Sequence, residues 1–190
     1  MLSEIDERLP WLRSALLDPF PDIIGPMHAS VGAVLAAIGA AGAFHAGLAP
    51  LAGVLVLLNG YLDILDGHLA RRQGRTSERG DFVDHSFDRF ADAALFIGAA
   101  FSPLVMTLLG LITTIAVLLV SYLGTQAQAL TDERLYAGLA GRSDRIMLLA
   151  IGAMLMPLYA GALQMVVGAV LVLSVVTIVQ RTMETWDRLG

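Results

Sequence analysis

The chain has 190 residues, 56% of them hydrophobic and only 15% charged, with a formal net charge of -5 and a positive mean hydropathy. That balance places it in the membrane class as a single domain, and the lack of a basic stripe excludes nucleic acid as a partner. The absence of cysteine excludes disulfides, haem attachment and thiolate metal sites, so any metal must be held by oxygen or imidazole.

Residues 1–22 lack the basic stretch followed directly by an apolar run that marks a cleaved signal peptide. Ile5, Leu9, Leu12, Leu16 and Leu17 recur at helical spacing, with Glu4, Glu7, Arg8 and Arg13 between them. The segment reads as a cytoplasmic amphipathic helix on the membrane interface, ended by Asp18-Pro19; an ordinary solvated lead-in is the alternative. Residues 23–190 form the membrane domain.

Residues 23–62, 93–131 and 146–180 contain no Asp, Glu, Lys or Arg. Each run is long enough for two spans of about 20 residues or slightly fewer and a tight turn. An all-α integral membrane protein with six transmembrane helices is expected, near 24–43, 48–70, 81–102, 105–128, 145–162 and 164–183. Gly39, Gly42 and Gly47 mark the first turn, Ser102-Pro103 the second and Gly161 the third.

All 12 basic residues are arginine, and all but Arg89 fall in the N-terminal segment, the 71–79 loop, the 134–145 loop or the C-terminal tail. The positive-inside rule therefore predicts a multi-pass protein of the cell membrane with both termini and both arginine-bearing loops in the cytoplasm.

Four aspartates interrupt this apolar pattern. Asp63, Asp66, Gly67 and Ala70 lie along one side of the second predicted helix, and Gly80, Asp84 and Asp88 do the same on the third. The short loop between the helices makes them antiparallel neighbours, so the two carboxylate rows can converge. Ionised groups near lipid are costly and like charges repel; divalent cations relieve both. An all-carboxylate shell suits Mg or Mn, and two ions about 4 Å apart can clamp a phosphoanhydride. Gly67, Ala70 and Gly80 offer small faces on which a nucleotide can lie, with Arg71 meeting its phosphate; helix packing is the other reading of the small residues. A metal transporter is a further alternative, since intramembrane carboxylates also line ion paths.

The stretch from Asp63 to Asp88 reads D-x2-D-G-x2-A-R-x8-G-x3-D-x3-D. In this it resembles the CDP-alcohol phosphotransferase family of integral membrane enzymes at every fixed position. The resemblance implies a divalent-metal-dependent enzyme, with two Mg or Mn ions per protomer, that transfers a phosphatidyl- or archaetidyl-type group from CDP-diacylglycerol or CDP-archaeol to an alcohol and releases CMP. It implies that Asp63, Asp66 and Asp84 are metal ligands, and that Asp88 completes the metal site and is the general base. Asp66, Gly67, Ala70, Arg71 and Gly80 would face the cytidine diphosphate. It also suggests a homodimer with one site per protomer, embedded among membrane lipids. Many relatives begin the first span with Pro-Asn and then a hydroxyl residue; here Pro26-Met27-His28-Ala29-Ser30 keeps the hydroxyl in Ser30 and loses the amide.

Asp81 and Asp92 lie outside the signature, and Asp92 extends the Asp84 and Asp88 face by four residues, as a support or as a partner of Arg89. His68 and His85 read as packing or rim residues. Tyr122, Thr125 and Gln126 near the end of the fourth helix are read either as hydrogen-bonding an acceptor or as interfacial and interhelical contacts.

Arg134, Arg142 and Arg145 precede or open the fifth helix. They serve membrane topology or a phosphate monoester, which paired guanidinium groups clamp well. The segment is similar to family members that use inositol 1-phosphate as acceptor. Inositol 1-phosphate is therefore the expected acceptor, with glycerol 3-phosphate and serine as alternatives.

Overall fold

The computed structural model describes residues 25–74, 77–131 and 138–189. The N-terminal amphipathic segment and Arg134 lie outside the described residues. The helices are α1 (Pro26–His45), α2 (Ala49–Arg72), α3 (Glu78–Ala100), α4 (Thr107–Thr131), α5 (Arg142–Met154) and α6 (Ala162–Leu189).

Local chemistry sets the boundaries. Pro26 opens α1, where its missing N–H costs nothing. The chain leaves α1 through Gly47, whose φ of 73° is strained for any residue with a Cβ, and Leu48 N–H returns to the Ala43 carbonyl at 2.8 Å. Ser77 caps α3, its Oγ accepting the Gly80 N–H at 3.1 Å.

The helices pack in a closed ring. α1 lies between α2 and α3, α3 against α4, α4 against α6, α6 against α5, and α5 against α2. The interior is built largely from small residues, including Ala37, Ala40, Ala52, Ala91, Ala99, Ala150 and Ala153, filled by Phe44, Leu95, Phe96 and Leu149. Glycines set the closest approaches: a Cβ on Gly98 would overlap Ala41 of α1, and one on Gly53 would sit 2.8 Å from Met154 Cγ of α5. Helices that gain little from hydrophobic exclusion in lipid associate through such close packing.

Outward faces are apolar as well. Leu35, Ile38, Val54, Leu108, Ile115, Met165 and Val172 are all exposed, as lipid-facing residues must be. Among the described residues, α1, α2, α4 and α6 are long and apolar enough to cross a bilayer. The other two differ for separate reasons. α3 has 23 residues, but its first half carries the charged motif. α5 begins at Arg142, three residues before the expected start, and has 13 residues, about 20 Å of helix against a hydrocarbon core of about 30 Å. Its early end follows from Pro157, which cannot donate to the ladder and clashes with the preceding turn; residues 155–161 continue as turns.

Gly98→Val should lower stability by at least about 1–3 kcal/mol by forcing α1 and α3 apart. Gly168→Ala, whose added methyl meets nothing within 4 Å, should be neutral or stabilising by up to about 1 kcal/mol. Thermal unfolding of both variants in the same detergent checks the contrast.

Candidate active site

The expected direct packing of α2 on α3 is replaced by α1, which packs against both, and helical periodicity turns the aspartates of α2 and α3 toward one another beside it. Asp63, Asp66 and Asp84 each present an oxygen within 4.8 Å of the others, and Asp84, His85 and Asp88 form a second such group that shares Asp84. The first group is all oxygen, hard and anionic, which fits Mg or Mn and disfavours a soft metal. The gap lined by Asp63, Asp66, Asp84, Asp88 and Arg142 measures about 10 Å³, close to one water-sized sphere. Residues and space both fit a small divalent ion. Such an ion would neutralise the carboxylates and stabilise charge on a phosphoryl oxygen.

Asp66 is only 6% exposed, and the Ser30 hydroxyl donates to its Oδ2 at 2.7 Å. One turn along α1 from Ser30 and two turns back along α2 from Asp66, Asn59 Nδ2 donates to the Ala33 carbonyl at 2.9 Å. These two bonds tie α1 to the carboxylate-bearing face of α2.

Cavities open on opposite sides of the cluster. The first, about 550 Å³, is bounded by Ser30, Asp66, Gly67, Ala70, Arg71, Gly80 and Asp84, with Met27, His28 and Arg79 at the α1 and α3 ends. A Cβ on Gly67 would stand 3.4 Å from Arg71 Nη1, so the missing side chain leaves Arg71 room to fold along α2. Met27 occupies the wall where the usual amide would be and offers no hydrogen bond to replace it.

The second cavity, about 540 Å³, is lined by Asp88 and by four arginines, Arg89, Arg142, Arg145 and Arg181. Arg142 reaches from the start of α5 into the carboxylates: Nη1 lies 2.8 Å from Asp63 Oδ2 and 2.9 Å from Asp88 Oδ1, and Nε lies 2.9 Å from Asp92 Oδ1. Arg145 is 2% exposed and donates through Nη1 to the Ala140 carbonyl at 3.1 Å. Arg181 crosses from α6 to α4, donating to the Val120 carbonyl at 2.7 Å. Gly124 makes this possible, because a Cβ there would come within 2.5 Å of Arg181 Nη1.

The positions read from sequence therefore divide between two sides of one cluster. Ser30, Gly67, Ala70, Arg71 and Gly80 share the first cavity, while Arg142 and Arg145 share the second. Tyr122 and Thr125 line the second cavity as well; Gln126 does not, and Gln128, one turn beyond Gly124, takes that place. His85 sits at the same rim, its Nε2 3.7 Å from Asp81 Oδ1, and His68 lines neither cavity. Arg181 was hidden among the tail charges, although its place at the end of an apolar run put it at the depth of the other arginines.

A family model for CDP-alcohol phosphatidyltransferase matches residues 26–180. The archaetidylinositol phosphate synthase of Pyrococcus horikoshii is 32% identical over 120 residues, 63% of this chain and 61% of that protein. The enzyme of the same description from Methanothermobacter thermautotrophicus is 32% identical over 124 residues, covering 63% and 62%. The matched region thus spans about three-fifths of the length of these curated relatives.

Among solved structures, Mycobacterium tuberculosis phosphatidylinositol phosphate synthase with CDP-DAG bound superposes with a TM-score of 0.77 at 26% identity, covering 86% of this chain and 87% of that one. The same enzyme in complex with manganese and citrate gives 0.77 at 25% identity, covering 98% and 89%. With the family model spanning most of the chain and the carboxylates gathered as its motif requires, this protein belongs to the CDP-alcohol phosphatidyltransferase family.

Proposed function

We propose that the protein transfers a phosphatidyl- or archaetidyl-type group from a CDP-lipid to inositol 1-phosphate and releases CMP. The observation that carries this reading is the placement of one carboxylate cluster between two chemically different cavities. One has small walls and Arg71 and Arg79, suited to a nucleotide diphosphate; the other has four arginines, suited to a phosphorylated polyol. The archaetidylinositol phosphate synthases among its relatives, and the solved neighbours with CDP-DAG and with manganese bound, support the same choice.

Asp63, Asp66, Asp84 and Asp88 would hold two Mg or Mn ions, which would supply stabilisation of the charge that develops as the phosphoanhydride breaks. Gly67, Ala70 and Gly80 let the nucleotide lie against the backbone, Ser30 and Asp66 border it, and Arg71 meets its phosphates. The acceptor hydroxyl attacks the lipid-bearing phosphorus, a new P–O bond forms, and the bond to the CMP oxygen breaks. Asp88, which borders both the central gap and the second cavity, takes the hydroxyl proton. Arg142, Arg145 and Arg181 engage the acceptor phosphate. Glycerol 3-phosphate would use the same clamp, whereas serine would leave it unmatched.

Six crossings complete the arrangement, with α3 and the stretch from α5 through residue 161 spanning alongside the four apolar helices. Both termini and the site then lie on the cytoplasmic side of the cell membrane. Because one chain supplies every named side chain, each protomer of a homodimer carries its own site.

CMP release in lipid vesicles should require Mg or Mn and fall at least about a hundredfold in Asp66→Asn, with folding retained; full activity in excess chelator would remove the metal reading. Asp88→Asn should keep nucleotide affinity and lose about 10²–10⁴-fold in transfer rate, measured by single-turnover kinetics. In a panel of inositol 1-phosphate, inositol, glycerol 3-phosphate and serine, the first should react best. Arg142→Ala and Arg145→Ala should each raise its KM about tenfold or more while leaving CDP-lipid KM unchanged.

A further inference from the structure

Asp92 is the deepest acidic side chain near the site, 1% exposed, and lies one turn beyond Asp88 on α3. It borders neither cavity and belongs to neither of the two side-chain groups that could hold a metal. Its Oδ1 accepts from Arg142 Nε at 2.9 Å, and its Oδ2 stands 3.9 Å from Arg89 Nη2. Both arginines line the second cavity. A buried carboxylate without such partners would be strongly unfavourable, and so would two cations held side by side in an apolar bundle without it.

The geometry around Arg142 gives the pairing a direction. A guanidinium has five donors in a rigid plane, so fixing one edge fixes where the others point. Asp92 holds the Nε edge, while Nη1 is shared by Asp63 and Asp88. Nη2 is buried without a hydrogen-bond partner among the described residues. Without Asp92, the Nε edge would lose its anchor, and the guanidinium would be free to turn about its Nη1 contacts to Asp63 and Asp88, carrying Nη2 with it.

We propose that Asp92 is a positioning residue for the acceptor: through Nε it holds Arg142 at the edge of the second cavity, so that preference for a phosphorylated acceptor depends on a carboxylate that touches neither substrate. This rests on the reading of the second cavity as the acceptor site. It deepens that reading by separating the residue that binds the phosphate from the one that aims it.

A double-mutant cycle on the full-length protein in vesicles tests this, with inositol 1-phosphate and inositol as acceptors. Asp92→Asn should raise the KM for inositol 1-phosphate about tenfold, leave the KM for CDP-lipid within about twofold, and shrink the preference over inositol by the same factor. In the Arg142→Ala background, Asp92→Asn should change none of these further, because its effect passes through Arg142. Direct titration of inositol 1-phosphate onto the protein, without turnover, should show the same loss. Should Asp92→Asn fail to fold, Asp92→Glu keeps the charge, displaces it by one methylene and should still raise the acceptor KM several-fold.

Equal losses for both acceptors, or an Asp92→Asn effect of full size in the Arg142→Ala background, would overturn the proposal. An Arg142→Ala effect with Asp92→Asn and Asp92→Glu both silent would overturn it while sparing the acceptor assignment. Indifference of every acceptor to Arg142→Ala would overturn the assignment and the proposal together.

Discussion

Charge neutralisation inside an apolar bundle is the constraint on which this architecture depends. Asp63, Asp66, Asp84, Asp88 and Asp92 converge where lipid-facing helices leave little water to solvate them, and each uncompensated charge there costs several kcal/mol. The fold answers with arginines delivered from elsewhere in the chain: Arg142 from the start of α5 bonds three of the five, and Arg89 stands beside two. Divalent ions held by the carboxylates would complete the compensation. The ring of helices brings α5 against α2 and α3 against α1, and so places these charges within reach of one another.

Compensation also gives the cluster two unlike sides. Toward α1 the carboxylates meet a hydroxyl and small residues; toward α4, α5 and α6 they meet guanidinium groups. For the proposed reaction between two anionic reactants, this separation keeps them from competing for the same cations. Coulombic attraction is strong at short range in a medium less polar than water, so a shift of either arginine row by a few ångströms would blur the distinction.

The carboxylate rows were legible in the sequence because spacings of three and four residues survive unchanged as helix faces. Gly67, Ala70 and Gly80 followed from the same registration. The closing partners were less visible: Arg142 and Asp63 are 79 residues apart, and no local period reports a contact between helices that are distant in sequence. From sequence, Asp92 reads as a support or as a partner of Arg89, which does stand 3.9 Å away, but its closer partner, Arg142 of α5, is not foreseen. The tail position of Arg181 pointed to topology, and only packing across Gly124 reveals that it enters the cavity. For α5, Pro157 carried a stop signal that the unbroken apolar run masked. Gln126 shows the limit of proximity along a helix, since Gln128, two residues on, is the one turned inward.

The alanine-rich face of α1 has a mechanical consequence. Ala29, Ala33, Ala36, Ala37 and Ala40 are buried along it, and methyl groups interlock weakly enough that neighbouring registers differ little in packing energy. Phe44 provides a bulky anchor at one end, about 20 Å from Ser30 at 1.5 Å per residue. Near the carboxylates, α1 is located by the Ser30–Asp66 and Asn59–Ala33 bonds and by Ala29 packing with Leu65 and Leu69. The register of the α1 wall of the first cavity is therefore set beside the carboxylates themselves and not only at the distant Phe44.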